Sequence, residues 1–372
     1  MVTLKEVASK SELKKFVKFP FTLYRNSPYW VPPIIKEELE TFDKTKNPAF
    51  ETSDASFLLA FKNEKIVGRV VAIINWMEVR EKKIKKIRFG WFDFIDDTEV
   101  SEALLRKVKE IGIENELDHM EGPMGFSNLD KVGVLIEGFD HIGSMVTWYN
   151  YPYYKKHYER LGFIKEKEYM ENKFPISNAD PAVFTKLNDL VKRRYGLREI
   201  NFTKAKDILP MVDRMFDLFN ETYAKLSSFI PVTDIQKSYF KKKYIGFANP
   251  EYIKFIVNKE NDLIAFAIVM PTFSKALQKA KGKLIPFGIF HLLKAKRSSE
   301  DVLFYLIGIH PEFQNKGVTA IIFNEYYKTF TEKNIKMCYR TPELEENVAI
   351  RQMWKHFNPV IYKRRRTYRK DL

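Results

Sequence analysis

The stretch FYLIGIHPEFQNKGVTA, residues 304–320, begins as an apolar run, reaches His310-Pro311 and turns polar. From there Gln314-Asn-Lys-Gly317-Val-Thr319 opens into the apolar Ala320-Ile-Ile-Phe323. The pattern predicts a strand, a tight turn and a helix. The first turn of a helix has backbone N–H groups without partners and the positive end of the helix dipole, so it attracts phosphate oxygens. Gly317 lets the backbone approach a pyrophosphate closely, and Lys316 adds positive charge. The same letters also fit an ordinary strand–helix connection with a glycine in its turn, and the rest of the chain has to decide between the two.

Outward from this stretch, paired strands are expected at 252–257 and 262–270, followed by a basic insertion at 274–299. A helix at 318–331, a strand at 335–339, a helix at 348–357 and a strand at 360–368 close the chain. Upstream lie a strand at 197–202 and a long helix at 208–226. The first half runs in the same order. It has a helix at 10–18, two strands within 56–74 around an Asn63-Glu64-Lys65 turn, and an aromatic strand at 86–95. A helix at 100–115, a strand from 120 and a helix at 153–161 ending at Gly162 complete it. The polar stretch 177–181 reads as a linker. A tandem duplication of one α/β unit is therefore expected, with domains at 1–176 and 182–372.

The chain has 372 residues, 45% hydrophobic, 15% aromatic and 30% charged, which is a globular composition with room for two cores. A lone cysteine, Cys338, excludes an internal disulfide framework and a multi-cysteine zinc site. The six histidines show no zinc spacing, so no metal is expected. The N-terminus lacks the apolar stretch of a signal peptide, and no run approaches the roughly 18 apolar residues of a membrane span. A cytoplasmic location is expected, with a peripheral place at the inner membrane face compatible with it. Charge is uneven: residues 1–180 carry 28 basic and 29 acidic residues, and residues 181–372 carry 35 and 19. The second half thus holds the whole excess behind the net charge of +15 and points to a phosphate-bearing or anionic partner. Nucleic acid is disfavoured, because no nucleic-acid-binding motif accompanies the charge and the neutral first half interrupts any basic track.

With its Ile309-His-Pro311 ending and Gln314-x-x-Gly317-x-Thr319 turn, the stretch resembles the pyrophosphate-binding signature of the GNAT acyltransferases. That signature is Q/R-x-x-G-x-G/A after a strand ending in V-x-P; Thr319 departs from its last small residue. Downstream, Asn347 and Trp354 fall where the superfamily has an Asn on the pantetheine arm and a Tyr that can protonate the thiolate. An indole is no acid and does not supply that proton, and Asn358 replaces the usual glycine of the Gly-Phe ending. The first half has the Asn150…Tyr158…Gly162-Phe163 ending but leads from its strand into Asp96-Asp97-Thr98-Glu99, with no glycine turn. The chain is also similar to one tandem bacterial branch, through Gly122-Pro-Met-Gly-Phe-Ser127, Tyr149-Asn-Tyr-Pro-Tyr-Tyr154, Phe219-Asn-Glu-Thr-Tyr223 and Pro286-Phe-Gly288. Members of that branch are called N-acetyltransferases, and bacterial ceramide synthases are similar in kind.

The resemblance implies two tandem GNAT-like domains, each a mixed, mostly antiparallel sheet flanked by helices. It implies acyl transfer from a CoA thioester, acetyl-CoA or longer, to an amine acceptor. Ile309, Gln314, Asn315, Lys316, Gly317, Val318, Thr319, Asn347 and Trp354 would hold the acyl-CoA. Glu221 and Glu346 are the candidate bases, and Tyr158 and Tyr223 the candidate acids. A solvated position for each glutamate and a packed aromatic for each tyrosine are the bland alternatives. His310 reads as a strand-end residue. The insertion 274–299 has seven Lys/Arg and no acid around an apolar 284–293 segment. Residues 275–297 would meet an anionic membrane or cover an acyl chain; the alternative is a loop packed on its own domain. A small amine, a lipid amine at a membrane surface, and a non-catalytic acyl-CoA-binding protein remain the competing readings.

Overall fold

A computed structural model gives the fold, and residues 1–226, 229–244 and 248–372 are described. The chain forms two compact units, Met1–Met170 with Phe273–Leu292 and Tyr362–Leu372, and Glu171–Thr272 with Leu293–Ile361. The first unit opens with β1 (Thr3–Glu6), α1 (Lys10–Leu23) and α2 (Ile35–Thr41), then β2 (Ser53–Lys62) and β3 (Lys65–Asn75). It continues through α3 (Trp76–Arg80), β4 (Lys86–Phe94), α4 (Thr98–Glu114), β5 (His119–Gly122), β6 (Val134–Glu137) and α5 (Tyr153–Arg160). β7 (Ile164–Pro175) leaves the first unit after Met170. The second unit follows with α6 (Pro181–Tyr195), β8 (Arg198–Asn201), α7 (Leu209–Tyr223), α8 (Asp234–Tyr244), β9 (Ile253–Val257) and β10 (Leu263–Pro271). The chain then returns to the first unit with α9 (Ser274–Ala280) and the start of α10 (Gly288–Ser298). It resumes the second with β11 (Asp301–Ile309), α11 (Val318–Glu332), β12 (Met337–Arg340), β13 (Glu343–Leu344) and α12 (Val348–Trp354). β14 (Val360–Asp371) ends in the first unit.

Within each unit the strands pair in one pattern. In the first, β1, β2, β3 and β4 are antiparallel neighbours and β4 runs parallel to β5. In the second, β8, β9, β10 and β11 are antiparallel neighbours and β11 runs parallel to β12. Each parallel pair is joined by one long helix, α4 or α11, as a parallel crossover requires. The expected duplication of a mixed α/β unit is thus realised strand for strand.

Local sequence explains the elements. Asn63 and Glu64 take φ of +50° and +61° between β2 and β3, a two-residue hairpin turn that asparagine tolerates. Every residue of β4 is buried, because helices cover its face and neighbours pair both its edges. The second unit's core gathers Phe174, Phe304, Phe323, Trp354 and Phe357. The first unit's gathers Phe89, Phe92, Phe94, Tyr154 and Tyr158. It also buries ions: Lys86 lies 3.1 Å from Glu78 and 2.8 Å from Glu121, and Arg88 lies 2.7 Å from Glu78.

Three expectations need correction. The boundaries 1–176 and 182–372 assume that each domain is contiguous, whereas 273–292 and 362–372 belong to the first unit and 171–176 to the second. In β14, Tyr368 to Asp371 pair antiparallel with β5, and in β7, Lys173 to Pro175 pair with β12. Periodicity identifies a strand but not the sheet that receives it. The 177–181 stretch is followed at once by α6, whose signals were present. Asp180 caps it, accepting the Ala182 N–H at 3.0 Å; Pro181 is its first residue, and Gly196 ends it at φ +63°. The helix expected at 208–226 begins with a 3-10 turn at Ala205–Ile208 and continues as α7.

Candidate functional site

β11 and the start of α11 frame the site. Pro311–Phe313 makes a 3-10 turn after His310, Asn315 takes φ +60°, and Gly317 stands at the cap position of α11 with φ +79° and ψ +10°. No side chain caps this helix. Among the described residues the backbone N–H groups of Gly317, Val318 and Thr319 find no partner, while Ala320 N–H closes back on Gly317 O at 2.9 Å. The turn is solvent-exposed up to Gly317. A Cβ at Gly317 would sit 3.0 Å from Val191 Cγ2 of α6, in a backbone region that disfavours side chains. Lys316 Nζ lies 5.5 Å over the Tyr195 ring and 5.1 Å over Phe313. A bare helix start with a cation beside it is chemically fit for a pyrophosphate. Gln314 braces the turn from within, its Nε2 donating to Ile309 O at 3.1 Å.

The strand that leads into this turn is open along one edge. β11 pairs with β12 only from Asp301 to Phe304. Thr341 then closes the pairing, donating from N to Phe304 O and from Oγ1 to Tyr305 O, each at 3.2 Å. The register with β10 shifts so that Phe304 and Leu306 face consecutive β10 residues and Tyr305 is left over, a bulge that bends the strand. His310 N–H pairs with Ile264 O at 2.8 Å, so alternation turns the peptide groups of Ile307 and Ile309 away from β10. Their carbonyls accept from Tyr223 Oη at 3.0 Å and from Gln314; their N–H groups face the gap left by β12.

α7 supplies the side chains beside this gap. Glu221 Oε1 lies 3.3 Å from His310 Nε2. His310 Nδ1 accepts the Glu312 N–H at 3.3 Å, which leaves the ring proton on Nε2, directed at Glu221. Two residues along the helix, burial pushes the Tyr223 hydroxyl up to about 12. A protonated phenol, a carboxylate held by an imidazole, and strand N–H groups therefore meet around one open strand edge.

The other sequence candidates lie elsewhere. Asn347 caps α12, accepting the Ile350 N–H at 3.2 Å, and Glu346 is exposed beside it. Neither bonds to the 314–319 turn or to Glu221. Trp354 is 1% exposed in the core against Phe304 and Phe323, with the Arg340 guanidinium 4.6 Å over its ring, so a contact with acyl-CoA is replaced by a packing role. Tyr158 is also 1% exposed, stacked on Tyr368 at 4.4 Å in the first unit, and burial raises its hydroxyl far above the usual range. It is a core residue and no acid. Reading the sequence missed His310 as Glu221's partner, and Val191 and Tyr195 as the wall behind the turn. The Asp180-Pro181 start and the Gly196 end of α6 were the available signal for that wall.

The matching place in the first unit is closed. Asp97 caps α4, its Oδ1 accepting the Glu99 N–H at 3.0 Å, and Lys62 Nζ reaches Asp97 at 2.7 Å and Glu99 at 3.1 Å. Asp96 meets His157 Nε2 at 2.9 Å. Among the described residues no cluster of three or more His, Cys, Asp or Glu is arranged to hold a metal.

No family model matches the chain. It is 26% identical over 375 residues to protein YghO of Escherichia coli (strain K12), spanning 98% of this chain and 94% of that protein. It is 23% identical over 379 residues to a bacterial ceramide synthase of Caulobacter vibrioides (strain NA1000 / CB15N), spanning 98% and 96%. Among solved structures, a tandem GNAT protein from the clavulanic acid biosynthesis pathway superposes with a TM-score of 0.58 at 10% identity, covering 100% of this chain and 98% of that one. A GCN5-related N-acetyltransferase from Sphaerobacter thermophilus superposes with a TM-score of 0.53 at 7% identity, covering 100% and 95%. The chain therefore has the tandem GNAT fold, and along nearly its whole length its sequence is similar to YghO and to a bacterial ceramide synthase.

Proposed function

We propose that the chain is an acyl-CoA-dependent N-acyltransferase whose site lies along the open edge of β11. The observation that carries this reading is the uncapped start of α11, with Gly317 at its head, directly following a strand whose Ile307 and Ile309 N–H groups face an unpaired gap. The N–H groups of Gly317, Val318 and Thr319 would hold the pyrophosphate of a CoA thioester, which supplies the activated acyl group. Ile307 or Ile309 N–H would polarise the thioester carbonyl and meet the negative charge that develops there. Glu221 takes the proton from the attacking amine, oriented by His310, and Tyr223 donates a proton to the leaving thiolate. The C–N bond forms as the C–S bond breaks, and the two proton transfers leave an amide and a free thiol.

Calorimetry with coenzyme A, and release of free thiol from acyl-CoA in the presence of amines, test this. Saturable binding and amine-dependent thiol release support it; binding without release with any amine would leave an acyl-CoA-binding protein instead. Similarity to a bacterial ceramide synthase favours a lipid amine and a long acyl chain over a small amine and acetyl-CoA. Thermal shift with palmitoyl-CoA against acetyl-CoA separates these, since a ligand of the folded state raises the midpoint by mass action.

A further inference from the structure

The basic insertion is two short helices and a knuckle, of which one end is fastened and the other is bare. α9 is tied to the first unit: Ser274 Oγ donates to Gly143 O at 2.7 Å, and Gln278 Nε2 to Pro28 O at 2.7 Å and Trp30 O at 3.0 Å. Ala276, Leu277 and Ala280 are buried beneath it. Lys281 and Gly282 follow in left-handed conformation, and Gly282 O accepts the Ile35 N–H at 2.9 Å. A Cβ at Gly282 would stand 2.5 Å from the Phe21 ring, so the chain is pinned there. Immediately beyond, Ile285 is 82% exposed, Phe287 70% and Phe290 64%. Elsewhere in the first unit large exposed apolar residues occur singly, an ordinary feature of surfaces; three within six positions are not ordinary.

Within the insertion itself charge has one sign. Lys275, Lys279, Lys281 and Lys283 are exposed, and none has an ion-pair partner among the described residues. No acidic residue occurs from 274 to 299. Lys296 is half-buried, and it falls with the exposed Lys294 and Arg297 in the second unit, outside the knuckle.

We infer that this knuckle docks the protein on an anionic lipid bilayer, with Ile285, Phe287 and Phe290 entering the acyl boundary and the four lysines at headgroup level. A protruding apolar tip with cations around its base matches the layering of such a surface, apolar below and negative above. The inference rests on no part of the acyl-transfer reading. Among the described residues no helix is long and apolar enough to cross a membrane.

Sedimentation of the full chain with phosphatidylcholine vesicles, with and without phosphatidylglycerol, tests it. The wild type should pellet with the anionic vesicles and be released at roughly 1 M salt, where charges beyond ~3 Å are screened. Changing Lys275, Lys279, Lys281 and Lys283 to Gln should weaken partitioning several hundredfold, at about fivefold per lysine. Changing Ile285, Phe287 and Phe290 to Ser should leave the protein in the supernatant with its circular dichroism unchanged, because these side chains are outside the core. Phe287→Trp should shift its emission to the blue on adding anionic vesicles. A wild type that stays in solution with both vesicles, or that partitions equally with the Ser variant, overturns the inference.

Discussion

The starts of α4 and α11 occupy equivalent places in two units of the same strand order, yet they are chemically opposite. At α4 the first-turn N–H groups are met by Asp97, the adjoining carboxylates are tied to Lys62 and His157, and no glycine opens the backbone. At α11 Gly317 leaves the first turn bare, with Lys316 beside it. A capped helix end has satisfied its own electrostatics; a bare one still has them to offer to a ligand. The division of charge follows the same line, with the neutral half carrying the sealed end. In a duplicated fold, the state of these caps tells more about which copy binds a phosphate than the shared topology does.

The largest effect should come from removing the one residue that keeps α11 open. Gly317→Trp places a Cβ against Val191 in left-handed backbone and puts an indole over the three free N–H groups. Coenzyme A affinity should fall beyond calorimetric detection, while Asp97→Gly at the sealed end should create no second site. Retained affinity in Gly317→Trp would reassign the phosphate to another part of the molecule.

Next in size is the chemistry. Glu221→Gln keeps the shape beside His310 but cannot take a proton, and kcat should drop about 10²–10⁴-fold with coenzyme A affinity unchanged. Tyr223→Phe should cost less, since a thiolate is a good leaving group, and should act on kcat alone. Equal losses in kcat and in coenzyme A binding for Glu221→Gln would make it a binding residue.

A third effect separates the interiors of the units. Burial disfavours the Glu78 carboxylate, but Arg88 and Lys86 outweigh it and hold its pKa at about 2. Lys86→Met leaves Glu78 and Glu121 facing each other without their shared cation and should cost about 3–5 kcal/mol of stability. Because the folded pKa is depressed, the stabilisation is present above the ordinary glutamate value and is lost as pH falls from about 4.5 towards about 2. The variant should therefore unfold at higher pH in an acid titration followed by circular dichroism.

Much of this was legible in the letters, and the failures share a cause. The 304–320 stretch gave strand, turn and helix start because glycine and charge act locally. The order of elements in both halves was legible because burial imposes periodicity on each segment. Strand exchange was not, since the residues of β14 read equally well for either sheet. Trp354 and Tyr158 lie in cores and not at a groove, and an aromatic at helical spacing looks the same in sequence in either place. His310 reads locally as a strand end, and what makes it a partner for Glu221 is α7, about 90 residues earlier in sequence, lying beside it.

The smallest effect concerns the sealed end itself. Asp97 accepts the Glu99 and Val100 N–H groups at the head of α4, its side chain taking the first and its carbonyl the second, and its carboxylate also receives Lys62. Its pKa is lowered, chiefly by the Lys62 hydrogen bond and then, against burial, by the backbone N–H groups. The carboxylate is partly exposed, so solvent screens the ion pair and the cap contributes most of its worth. Asp97→Ala should then cost about 0.5–2 kcal/mol, the usual range for losing a helix cap, measured by urea unfolding at neutral pH. With the folded pKa depressed, the difference between wild type and variant should be full above the ordinary aspartate value and shrink as pH falls through the folded one. Lys62→Met should cost less than Asp97→Ala, because it removes the screened pair and keeps the cap. If Lys62→Met proves the more damaging, the ion pair and not the capping bond is what closes this end of the first unit.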